Sequence, residues 1–130
     1  MKFLVAYNGS TESQAALEMA VKQASVFNAK LFVITSMEGG HGETPKDIAR
    51  VNRELDRVRR RLEDTGLEHD VHEVVRGLQP GEDIVIYARE TGIDQIFVGI
   101  EKKSRTGKLL LGSTAQYIIL KANCPVTTVK

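Results

Sequence analysis

The sequence predicts an α/β fold in which a five-stranded, mostly parallel sheet lies between two layers of helices, four helices in all. Short apolar runs alternate with longer segments of helical periodicity along the whole chain. Turn residues such as Asn8-Gly9-Ser10 separate the two kinds of segment. Strands joined through single helices need right-handed crossovers, which make neighbouring strands parallel and cover both faces of the sheet. Because no repeat or linker interrupts residues 1–130, we expect a single domain.

The first strand and the first helix are predicted before residue 28. The stretch Lys2–Tyr7 contains four consecutive apolar residues, which is typical of a short buried strand. Thr11 and Gln14 form a capping-box pattern, so the helix is expected to begin at Thr11. Apolar residues then recur at helical spacing as far as Phe27, and Asn28 is expected to end the helix.

The second strand and the second helix have equally clear signals. Leu31–Met37 is a buried-strand pattern, and Thr44 followed by Pro45 supplies a helix cap and a first-turn proline. The other faces of this helix carry six arginines among four acids, which indicates a solvated surface with mixed ion pairs rather than a nucleic-acid stripe. Apolar residues at steps of three and four predict one buried stripe: Ile48, Val51, Leu55, Val58 and Leu62.

The second half of the chain continues the alternation and completes a Rossmann-like three-layer α/β/α sandwich. Glu82 and Asp83 fall in the first turn of a helix, where the helix dipole accounts for acidic residues. The predicted elements are a half-exposed strand at Leu67–Arg76, a helix with Ile84, Val85 and Ala88 that ends at Gly92, a buried strand at Asp94–Ile100, a helix with Ala115, Ile118, Ile119 and Ala122 on one face, and a closing strand at Pro125–Val129.

Composition excludes several classes of function. Eighteen Lys and Arg residues balance 17 Asp and Glu residues, so no protein-wide field attracts nucleic acid. Cys124 is the single cysteine, which rules out an intrachain disulfide and a multi-cysteine zinc site. The N-terminal apolar run is too short for a signal peptide, and no stretch approaches the ~18 apolar residues of a membrane span. We therefore expect a cytoplasmic protein without a membrane partner.

The loop after the fourth strand concentrates positive charge in this nearly neutral chain. It contains Lys102, Lys103, Arg105 and Lys108 against one acid, and it delivers Gly112-Ser113-Thr114 to the start of a helix. Free backbone N–H groups, the helix dipole and two hydroxyls form an anion site there, and a glycine lets a phosphate approach the backbone. The alternative, which the local pattern leaves open, is that Ser113 or Thr114 only caps the helix.

Standard nucleotide motifs are absent, because neither G-x-x-x-x-G-K-[S/T] nor G-x-G-x-x-G occurs. Gly99-x2-Lys102-x9-Gly112-Ser113 instead resembles the G-x2-G-x9-G-[S/T] motif of the universal stress protein family. The first-strand turn Ala6-Tyr7-Asn8-Gly9-Ser10, the Leu109–Ser113 run and the closing Cys124-Pro125-Val126 resemble that family as well. The resemblance covers essentially the whole chain.

The resemblance implies a homodimer that binds an adenine nucleotide and acts in the stress response. ATP or AMP is the implied ligand, with Mg²⁺ as an option beside ATP. The family's dimer contact implies pairing of Pro125–Val129 with the same strand of a second copy. Carried over residue by residue, the adenine and ribose contacts correspond to Ala6, Tyr7, Asn8 and the main chain of Ser36, and the phosphate contacts to Gly99, Lys102, Gly112, Ser113 and Thr114.

Two positions depart from the family pattern. Asn8 stands where the family has an acidic residue, so it offers a ribose hydrogen bond without a charge. Lys102 replaces the second motif glycine, where it either narrows the phosphate path or pairs with phosphate. These departures motivate an alternative function, the same fold without nucleotide binding, as a dimeric interaction or regulatory protein.

Catalytic and metal-binding alternatives have little support. No pair of residues has the pattern of a general acid and base, so we expect a binding protein with at most weak ATP hydrolysis. An adenylating enzyme would resemble the S-G-G-x-D-S loop, which the turn at Asn8 lacks. His69 and His72 are three apart in a strand and point to opposite faces, so they cannot share a metal. His41 is a further candidate ligand contact, and Cys124 is expected to be a packed, unreactive thiol.

Overall fold

The computed structural model describes residues 1–40, 42–101 and 111–130, and within them five strands alternate with four helices. The order of elements agrees with the sequence prediction. The elements are β1 (Lys2–Ala6), α1 (Thr11–Phe27), β2 (Lys30–Met37), α2 (Pro45–Glu63), β3 (His69–Val75), α3 (Pro80–Thr91), β4 (Gln95–Gly99), α4 (Ser113–Lys121) and β5 (Val126–Val129).

The strands form one sheet in the order β3-β2-β1-β4-β5. Every pairing between them is parallel, with Ala6 of β1 opposite Ile34 of β2 on one side and Val98 of β4 on the other. The chain therefore moves outward from β1 in one direction through β2 and β3, and in the other through β4 and β5. The strand order reverses between β1 and β4, and ligands of open α/β sheets bind outside the carboxyl ends of strands at such a switch point.

Side chains alternate across the sheet to form two separate cores. Phe3 and Val5 of β1 contribute to the core beneath α1 and α2, whereas Leu4 between them contributes to the core beneath α3 and α4. This division gives the three-layer α/β/α sandwich that the sequence predicts. Within residues 1–40, 42–101 and 111–130, no helix combines the length and apolarity needed to cross a membrane.

Helix ends follow local chemistry, with one prediction corrected. Helix α1 is capped by Ser10 and not by Thr11, because the Ser10 side chain accepts the N–H of Ser13 at 3.1 Å. Asn28 ends α1 in the left-handed conformation, as expected. At α2, Thr44 and an acidic residue three positions later form a reciprocal capping box.

Two apolar residues assigned to buried helix faces are exposed. Ile48 is 43% exposed and Ile119 is 39% exposed, although both keep the spacing of their stripes. Ile48 lies in the first turn of α2, where burial begins only at Val51, and the burial of α4 is confined to Ala115 and Ile118. Periodicity identified the correct helices but overstated how much of each face is covered.

Candidate functional site

A cavity of about 390 Å³ opens at the carboxyl edge of the sheet, beside the switch point. It is within the size range of small-molecule pockets. Lys102 lies outside the described residues, as do Lys103, Arg105, Lys108 and His41, so their predicted contacts stay predictions. The other eight site residues of the sequence analysis line this cavity together: Ala6, Tyr7, Asn8, Ser36, Gly99, Gly112, Ser113 and Thr114.

The cavity has an apolar floor that the sequence analysis did not assign. Ile34 of β2, Ile84 of α3 and Val98 of β4 line it, and each belongs to the core beneath α3 and α4. Pro80 at the start of α3 lines it too. These residues were recognised only as strand and helix residues. The switch-point rule identifies the correct edge of the sheet, but it does not say which helix closes over the edge.

The turn after β1 is held by its own hydrogen bonds. The Asn8 side-chain oxygen accepts the Ser10 N–H at 3.0 Å, and the Ser13 hydroxyl donates to the Ser10 carbonyl at 3.0 Å. The Asn8 N–H in turn donates to the Ser13 hydroxyl oxygen at 3.4 Å. The Asn8 carboxamide oxygen therefore already accepts one hydrogen bond within the protein. The NH2 group of that side chain can donate to a ligand.

Strand β2 extends beyond β1 and presents free backbone at the cavity. The Tyr7 N–H donates to the Ile34 carbonyl at 2.9 Å, and the Thr35 hydroxyl donates to the Tyr7 carbonyl at 2.8 Å. In a parallel strand, residues two apart direct their N–H and C=O groups to the same side. The peptide groups of Ser36 are therefore directed to the side where β1 has ended. Ser36 offers one donor and one acceptor there, as its predicted main-chain role requires.

Helix α4 begins at the cavity wall without a side-chain cap. Its N-cap is Gly112, and the first helical hydrogen bond runs from the Gln116 N–H to the Gly112 carbonyl at 3.0 Å. Ser113 and Thr114 are the first helical residues, so the alternative in which one of them caps the helix is wrong. The unbonded N–H groups of this first turn, the helix dipole and the two hydroxyls together favour an anion at this end.

The motif has glycine at positions 99 and 112 for two different reasons. A Cβ on Gly99 would lie 2.7 Å from the Ser13 nitrogen and closer still to the Glu12 carbonyl, so β4 can approach α1 only through a glycine. Gly112 has a φ of −62°, and a Cβ on it would meet no atom of residues 1–40, 42–101 and 111–130 within 4 Å. Those residues therefore do not require a glycine at position 112, whereas packing explains the glycine at position 99.

A buried carboxylate, that of Asp83, bonds to one of the residues that line the cavity. Asp83 is 1% exposed, and its two oxygens accept from the Ser36 hydroxyl at 2.6 Å and from Arg76 Nε at 2.8 Å. Arg76 also contacts both oxygens of Glu90. Burial alone would lower the pKa of Arg76, but its hydrogen bonds to Asp83 and Glu90 outweigh burial and raise it. The helix dipole, which the sequence analysis invoked for Asp83, does not account for a carboxylate that is buried and paired in this way.

A second cleft of about 320 Å³ lies between α1 and α2 and shares Tyr7 with the first. Burial raises the pKa of the Tyr7 hydroxyl, and the Glu54 carboxylate raises it further against an opposing effect of Arg57. The Glu54 carboxylate also occupies the space that a side chain at Gly9 would need, and Gly9 has a φ of +80°. Helix α2 therefore packs directly on the turn that follows β1.

Two histidines of β3 and the single cysteine remain as candidate residues. His69 pairs with Leu31 and His72 with Ile34 in the sheet register, which places the two histidines over different cores. Among residues 1–40, 42–101 and 111–130, no three His, Cys, Asp or Glu side chains come together as a metal site. Burial raises the pKa of the Cys124 thiol, with a smaller contribution from Asp94, so the thiol is poorly activated.

Comparison with known proteins places this site in a family. The whole chain, residues 1–130, matches the sequence model of the universal stress protein family. The chain belongs to the universal stress protein family. Its fold is similar to the universal stress protein from Archaeoglobus fulgidus, with a TM-score of 0.91 and 35% identity over 100% of this chain and 98% of that one.

Two further relatives of this universal stress protein cover nearly the same length. A structure of the universal stress protein from Archaeoglobus fulgidus in complex with dAMP is 31% identical, with a TM-score of 0.83 over 100% of this chain and 98% of that one. A universal stress protein from Mycolicibacterium smegmatis is 28% identical over 98% of this chain and 95% of its own. Both similarities extend across the strands and helices that form the cavity.

Proposed function

We propose that this universal stress protein binds an adenine nucleotide, ATP or AMP, in the cavity at the carboxyl edge of the sheet and acts as a homodimer in the stress response. One observation carries the proposal. The cavity joins an apolar floor, with free peptide groups at Ser36, to an uncapped helix N-terminus at Gly112. A nucleotide has the same polarity, with a flat base at one end and phosphate at the other.

The phosphate end is supported by the sequence at the start of α4. Packing against the described part of the chain does not require a glycine at position 112, so its missing side chain is best explained by a ligand that approaches the backbone. Ser113 and Thr114 add hydroxyl donors beside the first-turn N–H groups. The relative solved with dAMP contains a ligand of the same chemistry, a base joined to a phosphate.

The polar groups at the cavity are suited to binding rather than to catalysis. Its described carboxylates are Glu12 and Glu101, and no histidine or cysteine lines it among the described residues. We therefore propose a binding protein with at most weak ATP hydrolysis. An Mg²⁺ ion that arrives with ATP would be held mainly by phosphate oxygens and water, because the described part of the chain lacks a three-residue metal site.

The proposed dimer uses the edge of the sheet. Strand β5 pairs with β4 on one side only, and it is short, from Val126 to Val129. Leu120, at the end of the helix that leads into it, is 69% exposed. Pairing with the same strand of a second copy would cover both the edge and this side chain.

An alternative function is an interaction protein of the same fold that does not bind nucleotide. One observation favours it: the neutral Asn8 carboxamide oxygen already accepts the Ser10 N–H at 3.0 Å, so only one of its two lone pairs is left for a ribose hydroxyl. Under this alternative, the dimer and its exposed surfaces would act alone.

Native mass spectrometry of freshly purified protein, followed by calorimetric titration with AMP and ATP, tests the proposal. We expect a dimer mass, retained adenylate, and saturable heat with both ligands. A dimer that gives no heat and no thermal shift at millimolar AMP and ATP would refute nucleotide binding and support the alternative. A monomer that binds AMP would refute only the dimer.

A further inference from the structure

The buried carboxylate of Asp83 controls the direction of one hydroxyl at the base end of the cavity. Asp83 lies one turn into α3, next to Ile84, which lines the cavity. A carboxylate that is 1% exposed is tolerated only when it is paired and hydrogen-bonded. Its two partners come from other elements: Arg76 from the segment after β3, and Ser36 from the end of β2.

This pairing fixes the proton of the Ser36 hydroxyl. The guanidinium of Arg76 donates to Oδ1 of Asp83 at 2.8 Å and so favours the ionised carboxylate. An ionised carboxylate only accepts hydrogen bonds, so at 2.6 Å the Ser36 hydroxyl must be the donor. Because the Ser36 proton is used in this hydrogen bond, the Ser36 oxygen has only lone pairs left for other partners. Toward any ligand, the Ser36 side chain is therefore an acceptor and not a donor.

The same hydroxyl lies on the cavity face of the sheet. Ser36 is two residues from Ile34, so both side chains project from one face of β2, and both residues line the cavity. The face is the one covered by α3 and α4. On the proposed function, we assign the base to this part of the cavity, because the Ser36 peptide groups offer a donor and an acceptor here, whereas the anion site at Gly112 belongs to another element.

We propose that Asp83, held by Arg76, is a positioning residue that makes the Ser36 hydroxyl an acceptor and thereby selects a base with an exocyclic amine over one with a carbonyl at the same place. The proposal rests on the proposed function. It predicts preference for adenine over hypoxanthine, since these bases differ at position 6 in an amine that donates and a carbonyl that accepts. If the base has a carbonyl at that position, the carbonyl oxygen and the Ser36 oxygen are both acceptors. Neither then has a hydrogen-bond partner, which costs binding free energy.

Paired titrations with AMP and inosine 5′-monophosphate test this inference. The wild-type chain should bind AMP more tightly by about tenfold, the size of one hydrogen bond gained against an unpaired polar group. Ser36→Ala removes the hydroxyl acceptor and leaves the Ser36 peptide groups in place, so the preference for AMP should fall several-fold below the wild-type ratio. Ribose 5-phosphate, which has no base, should bind wild type and Ser36→Ala equally.

Asp83→Asn is the sharper variant. Its single side-chain oxygen would be taken by Arg76, which turns its NH2 group toward Ser36 and forces that hydroxyl to accept. The Ser36 proton is then available to the cavity, so the affinity for the inosine nucleotide should rise while that for AMP falls. A purely structural role of Asp83 would weaken both ligands by the same factor.

Two control variants remove similar groups elsewhere. Glu90→Gln removes the charge from the exposed partner of Arg76 and leaves the contact between Asp83 and Ser36. Ser25→Ala removes a serine hydroxyl that donates within α1, away from the cavity. Both should keep the wild-type ratio of AMP to inosine nucleotide affinity.

The outcomes separate this inference from the proposed function. A wild-type protein that binds AMP, with Ser36→Ala folded and keeping the wild-type ratio, overturns the role of Asp83 and Ser36 but leaves nucleotide binding intact. Equal affinity of the wild type for the two nucleotides overturns it as well. A wild-type protein that binds neither nucleotide removes the proposed function itself. If Asp83→Asn does not fold, Ser36→Ala alone decides.

Discussion

Replacing Gly112 with valine should strongly weaken nucleotide binding with little change in the stability of the fold. Gly112 has an ordinary φ of −62°, and a Cβ there meets no atom of the described residues within 4 Å, so valine fits against that part of the protein. Its side chain would project at the start of α4, where a phosphate must approach the N–H groups of the first turn. We expect AMP affinity to fall at least about tenfold.

The expected stability effect is small because two terms oppose each other. Losing a glycine at an N-cap position costs up to about 1 kcal/mol, and reducing the freedom of the unfolded chain returns about 0.4–1 kcal/mol. The melting temperature should therefore stay within about 3 °C of wild type. Gly99→Ala should instead destabilise the fold, because its Cβ would be too close to the backbone of Glu12 and Ser13. Overpacking of this kind costs about 1–3 kcal/mol, or roughly 4–12 °C in a chain of this size.

Thermal unfolding and AMP titration of both variants, beside a matched control, measure these effects. Gly42→Val is the control, because a Cβ on Gly42 would also lie in open space and this residue does not line the cavity. It should retain both stability and AMP binding. If Gly112→Val binds AMP as wild type does, the anion end of the cavity has been assigned to the wrong place. If Gly99→Ala melts with wild type, the packing explanation of that glycine fails.

Three further predictions concern the sheet edge, the thiol and a helix cap. The carbonyls of Pro125 and Val129 accept hydrogen bonds from residues of β4 and just after it, so the N–H of Thr128 faces outward. Thr128→Pro should therefore convert the proposed dimer to a monomer in analytical ultracentrifugation, whereas Thr128→Val should sediment as wild type does. Because burial raises the pKa of Cys124, its alkylation by iodoacetamide at pH 8 should be slower than that of free cysteine and accelerate at higher pH; equal rates would contradict its burial. Ser10→Ala removes the cap of α1 and should lower the free energy of unfolding by about 1 kcal/mol in urea titration, whereas Ser10→Thr should not.

The order of elements could be predicted from the sequence because each has a local signal. The left-handed cap at Asn28 and the capping box at Thr44 depend on residues within a few positions of each other. The exposure of Ile48 and Ile119 could not be predicted in this way, since periodicity gives the direction of a side chain but not the extent of the surface opposite it. The predicted cap of α1 was wrong by one residue because serine and threonine are both good cap residues, so the local pattern does not distinguish Ser10 from Thr11.

The site was predictable in part for a similar reason. Its loops follow strands, and parallel strands bring their carboxyl ends to one edge, so Asn8 and Gly112 were expected together, whereas Ser36 was expected only from the family resemblance. The Asp83 network was not expected, because its partners are 7 and 47 residues away and no short motif connects them. An acidic residue in a helix first turn is normally exposed, and only the tertiary fold buries this one.

The contact between α3 and α4 holds helix α4 in a position that connects the cavity to the edge of the sheet. A Cβ on Gly81 would meet Tyr117 at 2.9 Å and the Thr114 carbonyl at 3.2 Å, so the first turns of the two helices are in close contact. Helix α4 is nine residues long, a rod of about 13 Å. One end of this rod lies at the anion end of the cavity, and the other leads within a few residues into the free edge strand β5. A single short helix therefore joins the two places where this protein is proposed to meet a nucleotide and a second copy of itself.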